Sequence, residues 1–162
     1  MNGSRENMAS GAPEKPGRRD RVMNLITAQR MLPLVKRIIA DILAQQQRLG
    51  LLHPEQDRLD RHKRALAWPQ RQRRYQVRED ITAAEHDLEG ALVELQELGV
   101  VLLDPEVGRV GFPTVVNDKA AFFSWQPGAE DIQGWHFPHE SKWRPIPPAW
   151  NKVGDITLTG KD

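Results

Sequence analysis

The 162-residue chain has no cysteine, which excludes disulfides, thiolate nucleophiles and thiolate metal sites. No apolar run approaches the roughly 20 residues that a bilayer span requires. The first residues lack the apolar core of a signal peptide, so the expected location is cytoplasmic. A phosphate loop and a dinucleotide fingerprint are missing too, and none of the four serines stands in a nucleophile elbow. What is there is a soluble composition, 39% hydrophobic and 28% charged, with enough chain for one modest core.

The net charge of +1 hides an uneven distribution. Residues 24–53 hold four basic residues and one acidic. Residues 54–78 hold eight basic residues and three acidic, a net of +5. Residues 79–98 hold seven acidic residues and no Lys or Arg. Adjacent blocks of opposite sign and similar length suit two helices that lie against each other.

The apolar pattern agrees. Asn24 is an N-cap type, and after it Leu25, Ala28, Leu32, Val35, Ile39, Ile42 and Leu49 recur in steps of three and four, with Gln46 the one polar member. Pro33 falls two turns into this helix, where it should kink the axis. A second helix is expected over 72–98, with the seam Val77, Ile81, Ala84, Leu88, Ala91, Leu95 and Leu98. Glu79 and Asp80 are expected near its positive end, and Gly99 as its C-cap. Gly90 in mid-helix costs about 1 kcal/mol relative to Ala, and either it allows close approach of another backbone or it is simply tolerated. Between the helices, residues 50–70 read as a connector in which Leu59, Leu66 and Trp68 anchor a turn or two of helix. Met31, Ile38, Leu43 and Leu92 widen the seams beyond what two helices can cover. Either later segments or a second chain must shield that face, which makes a homo-oligomer or protein partner an expectation.

From Gly99 the pattern changes. Short apolar runs are divided by turn signals at 104–108 and 117–119, which predicts a three-stranded antiparallel meander. Antiparallel helices would bring it back beside Asn24 and Leu25. Residues 1–20 read as a disordered tail with a basic arm at Arg18, Arg19 and Arg21. Residues 145–162 read as a Pro- and Trp-rich extension over the domain surface, with a short edge strand at 155–159. The domain itself is expected over 21–144, with Pro33, Phe112, Trp125 and Trp135 as structural anchors.

The order of these motifs resembles one family. The pattern N-x-x-x-A-x-x-M-L-P at Asn24–Pro33 is followed by Gly99, Val100 and Asp104, then Phe112 and Pro113. Trp125, Gly128, Asp131, Ile132, Trp135 and His136 complete it. This arrangement is similar to domain of unknown function 2203, an uncharacterised bacterial family. The resemblance implies a long helical hairpin, then short strands, then a loop carrying acids that leads to Trp-His. It implies no activity. This chain departs from the family pattern at Gly111, Ala129 and Phe137, where members carry acids.

Three functional classes follow. The α+β architecture, a coiled-coil-like hairpin and a meander, suits a non-enzymatic interaction or scaffold module acting through its helices. The loop holding Glu130, Asp131, His136, His139 and Glu140 has the residue types for a divalent metal or an acid–base pair. Pro138 keeps His136 and His139 off a common helix face. The plainer alternative has Trp135 packed on the helices and His136 bonded to a neighbouring backbone group. No catalytic residue and no cofactor is assigned. The third class is nucleic-acid binding by the basic stretch 58–78 through Arg61, Lys63, Arg64, Arg71, Arg73 and Arg74, with Trp68 and Tyr75 as stacking rings. Its plainer alternative is a solvated tip whose arginines partner the acidic helix.

Overall fold

The computed structural model describes residues 22–152 and Gly160. The tail at 1–20, including the basic arm, and the edge strand expected at 155–159 lie outside the described residues.

Two helices form an antiparallel hairpin: α1, Leu25–Arg61, and α2, Trp68–Glu97. Asn24 caps α1 as its type suggests, its side chain accepting from the Thr27 N–H at 2.8 Å. The seam residues Leu25 to Ile42 are buried, as are Val77, Ile81, Ala84, Ala91 and Leu95 opposite them. At the far end of α2, Gly99 takes φ +79°, and its N–H reaches the Gln96 carbonyl while that of Val100 reaches Leu95. That paired closure stops the helix and sends the chain into the sheet.

The hairpin is longer than its seams suggest. Residues 50–61 continue α1 without a break, and only 62–67 form the turn. Gly50 and Pro54 argue against helix, at about 1 and about 3 kcal/mol. Leu52, Leu59 and Leu66 outweigh them, because each is buried and contributes roughly 1.5–3 kcal/mol. The bond that Pro54 cannot make falls on the carbonyl of Gly50, an exposed residue whose oxygen water can satisfy. At 37 residues, α1 is about 55 Å long.

Two local expectations change with this. Trp68 opens α2 and is exposed rather than an anchor, with Pro69 in the first turn. Because α2 starts at Trp68, Glu79 and Asp80 stand three turns inside it. Asp80 instead lies 3.6 Å from Arg48 and 4.0 Å from Arg73. Of the two readings of Gly90, the structure fits simple tolerance, since a Cβ there would find open space.

The sheet has four strands where three are expected: β1, Val101–Asp104; β2, Arg109–Val116; β3, Lys119–Trp125; and β4, Gly134–His136. They pair antiparallel in chain order. The extra strand is Gly-Trp-His, too short to show an alternation in sequence. It is recruited by the free edge of β3 through Phe123 opposite Trp135. Asn117 and Asp118 both take positive φ, the two-residue turn that matches strand twist. At the other turn Gly108 takes φ +76°, and a Cβ there would lie 2.7 Å from Ile39 Cγ2, so this turn docks directly on α1.

Two cores result. At the base, the first half of α1 packs with Ala91, Leu95 and the inner sheet face, including Phe112, Phe123, Trp125 and Trp135. Met23 donates its N–H to the Pro113 carbonyl there at 2.9 Å. Trp150, from the short 3-10 helix Pro148–Lys152, is 3% exposed and meets Phe123 and Trp135, so it belongs to this core rather than to a surface cover. The tip core holds Leu49, Leu52, Leu59 and Leu66 against Val77, Ile81 and Ala84. Leu88 touches both. The widened seam is covered mostly by the chain itself. Ile38 is 2% exposed, Met31 and Leu43 pack against the base core, and Leu92 stays at the surface.

Candidate functional site

Residue periodicity sorts the sheet into two faces. Val110, Phe112, Thr114 and Val116 of β2 face the helices, as do Ala121, Phe123 and Trp125 of β3. The opposite phase holds Gly111, Phe122, Ser124 and, on β4, His136. Ser124 and His136 are diagonal neighbours there, since Phe122 opposes His136 and Ser124 opposes Gly134.

The two side chains meet at 2.6 Å, Ser124 Oγ to His136 Nε2. His136 Nδ1 lies 2.9 Å from the Phe137 carbonyl oxygen, which can only accept. Nδ1 must therefore carry the proton in the neutral ring, leaving Nε2 to accept the Ser124 hydroxyl proton. A serine polarised by histidine is half of a nucleophilic pair. Here it cannot meet a substrate. Ser124 is fully buried and His136 is 6% exposed, with Trp143 stacked on the imidazole at 6.3 Å between centroids. The guanidinium of Arg109 lies 5.3 Å from the Trp143 ring on this side. The pair satisfies two buried polar groups and holds β4 to β3.

The other loop residues do not gather around it. Glu130 and Asp131 are exposed before β4, and His139 and Glu140 are exposed after it. Lys36 Nζ donates to the Glu130 carbonyl at 2.5 Å and sits 5.8 Å from the Trp125 ring, tying this loop to α1. His139 occupies a left-handed turn at φ +68°. The Glu140 carboxylate accepts from Arg144 and from the Phe137 N–H, and the Arg144 guanidinium holds its pKa below the usual carboxylate value. Arg144 also exchanges both backbone hydrogen bonds with Trp135, which extends the sheet by one bridge. Among the described residues, no three His, Asp or Glu side chains converge as metal ligands would.

The basic candidates lie at the hairpin tip, where the structure divides them. Arg73 forms two hydrogen bonds to Glu55, at 2.6 and 2.9 Å, and Arg74 donates to Asp60 at 2.6 Å. The Arg73 hydrogen bond pulls the Glu55 pKa down, and Glu55 in turn raises that of Arg73. These arginines partner acids of α1, with Asp80 of α2 the one acid from the expected source. Arg71 spends Nε on the Leu66 carbonyl and Arg61 on that of Asp57. Lys63 and Arg64, in the exposed turn, have no carboxylate within 4.0 Å among the described residues.

Near that turn stand the two exposed aromatic side chains among the described residues. Trp68 is 67% exposed and Tyr75 is 62% exposed. They are seven residues apart on α2 and so share one face.

The family profile described as "Uncharacterized conserved protein (DUF2203)" matches residues 21–142. The chain belongs to this family. The match takes in both helices, the four strands and the loop through Lys142. No curated protein and no solved structure matches the chain. Among the described residues, no helix is long and apolar enough to cross a membrane. Two features escaped the motif order. The Ser124–His136 pair depends on strand register between residues 12 apart. The exposure of Trp68 depends on where α2 begins, and Pro69 is the signal that would have placed that start.

Proposed function

We propose that this chain is a cytoplasmic, non-enzymatic interaction module that binds a protein partner through the hairpin arm. One observation carries the reading: Trp68 and Tyr75 stand in water on the face of α2 turned away from α1. Large rings left exposed on a regular helix retain the free energy that burial would release. Trp, Tyr and Arg together also make the composition on which interface energy concentrates. The sheet, by contrast, uses its polar pair to close a core.

A second reading is nucleic-acid binding by the same tip, favoured by Lys63 and Arg64, which have no carboxylate partner among the described residues and lie in the turn that leads to Trp68. Against it, Arg73 and Arg74 are occupied by carboxylates, and seven acids follow on α2. A photo-crosslinking residue placed at Tyr75 in the full chain, within its native cell, tests both. Protein adducts from position 75 but not from Ala40, an exposed site on α1 at the base, are the expected result. RNA or DNA adducts would replace the first reading with the second. Equal adducts from both positions, or none from 75, would overturn the arm as a binding surface.

A further inference from the structure

We propose that the outer face of α2 pairs with the same face of a second copy of this chain, the two helices running antiparallel. The inference rests on the arm being an interaction surface and names its partner. At about 100° per residue, Trp68, Tyr75, Glu79, His86, Val93 and Glu97 fall within about 20° of the line directly opposite Val77, the centre of the buried seam. All six are exposed. They form a stripe whose apolar members sit at its ends, Trp68 and Tyr75 at one and Val93 at the other.

The flank of that stripe is bipolar. Arg71, Arg78, Glu85 and Glu89 lie on one side of it, basic near the tip and acidic toward the base. A two-fold axis passing between Asp80 and Ile81 sets Trp68 opposite Val93 and Tyr75 opposite His86. The same axis brings Arg71 to Glu89 and Arg78 to Glu85, each within about two residues of direct opposition. In an antiparallel pair, residues on the same flank of the two helices face each other. Every pair of opposed flank charges is then of opposite sign, and every exposed ring meets a side chain it can cover. The opposite flank is neutral at Gln72, Gln76, Ala83 and Gly90, while Glu79 opposes Thr82 and lies within about three residues of its own copy, a like-charge approach that the four flank pairs outweigh.

These groups are available. Arg78 and Glu89 have no ion-pair partner among the described residues, and Arg71 commits only Nε. Glu85 has a distant neighbour, His53 at 4.0 Å, with both side chains half exposed or more. A ligand of one charge sign would be repelled by half of this face. A second copy is bipolar in the complementary sense by symmetry alone, along about 38 Å of helix.

Light scattering of the full chain across a concentration series, with two charge-reversed variants, tests the proposal. The expected mass rises from 18.5 kDa toward twice that value in the unaltered chain. The double variant Arg71→Glu with Arg78→Glu should dimerise at least about tenfold more weakly, and so should Glu85→Arg with Glu89→Arg. Mixing the two variants should restore a dimer, because one chain then presents only acids along the flank and the other only bases. That rescue separates lost pairing from lost folding. A strictly monomeric native chain, a dimer indifferent to both reversals, or a mixture that stays monomeric would each overturn the pairing. If the chain is monomeric while Tyr75 still crosslinks another protein, the interaction reading survives and this one fails.

Discussion

At the scale of single residues, His136 shows how a candidate catalytic group becomes structural. Its type and its neighbours Asp131 and His139 suit metal or proton chemistry, yet its two nitrogens are used by the Phe137 carbonyl and the Ser124 hydroxyl. The nearby acids stay in solvent because their loop is held by Lys36 and by Trp125, whose Nε1 donates to the Ala129 carbonyl at 2.9 Å. Ser124→Ala and His136→Ala should each cost about 1–3 kcal/mol by stranding the partner. The double variant should cost less than their sum, and denaturant unfolding of the four chains would measure the coupling. Trp135→Ala should cost about 3–5 kcal/mol, since this ring is fully buried against Trp150 and Phe137. A loss below 1 kcal/mol would contradict its place in the core. The ligand types here were legible in sequence. Their separation was not, because it depends on a three-residue strand that no period reveals.

At the scale of elements, the helices and the order of the strands were legible because their signals are periodic and local. Leu25 to Ile42 and Val77 to Leu95 lie where spacing alone puts them, and the meander packs at the base as an antiparallel hairpin demands. The length of α1 was not legible. Gly50 and Pro54 are strong local punctuation, and they are overruled only by burial of Leu52, Leu59 and Leu66 against α2, a tertiary effect. Leu59→Ala should therefore cost about 2–5 kcal/mol, as Ile39→Ala should, whereas a connector residue would cost below about 0.5. Thermal unfolding of the two variants would settle it. Glu55 and Arg73 give this part of the hairpin an acid dependence. The folded-state pKa of Glu55 is depressed, so its contribution is complete above the usual value of 4.5 and is lost as pH falls through the lower folded value. Arg73→Ala should weaken the native chain near neutral pH, and the difference from the unaltered protein should disappear as pH falls through the depressed folded-state value of Glu55. A gap that persists in acid would mean that Arg73 acts by packing.

At the scale of the whole molecule, the base is a three-sided assembly of α1, α2 and sheet, and the arm is two helices with solvent around them. The arm has fewer layers to protect its backbone bonds. Amides around Leu52 to Val77 should exchange with deuterium well before those around Val35, Phe112 and Trp135, by local opening that leaves the base intact. Uniform exchange throughout would mean one cooperative unit. Leu88, the residue that the two cores share among the described residues, has a further meaning for how such a chain can change. Because the tip repeats one seam without touching the sheet, seven residues can be removed from or added to each helix while every base contact stays in place. The arm is thus a ruler whose graduations are heptads of about 10 Å. Chains with the same base and different arm lengths would hold whatever they bind at different distances from the sheet.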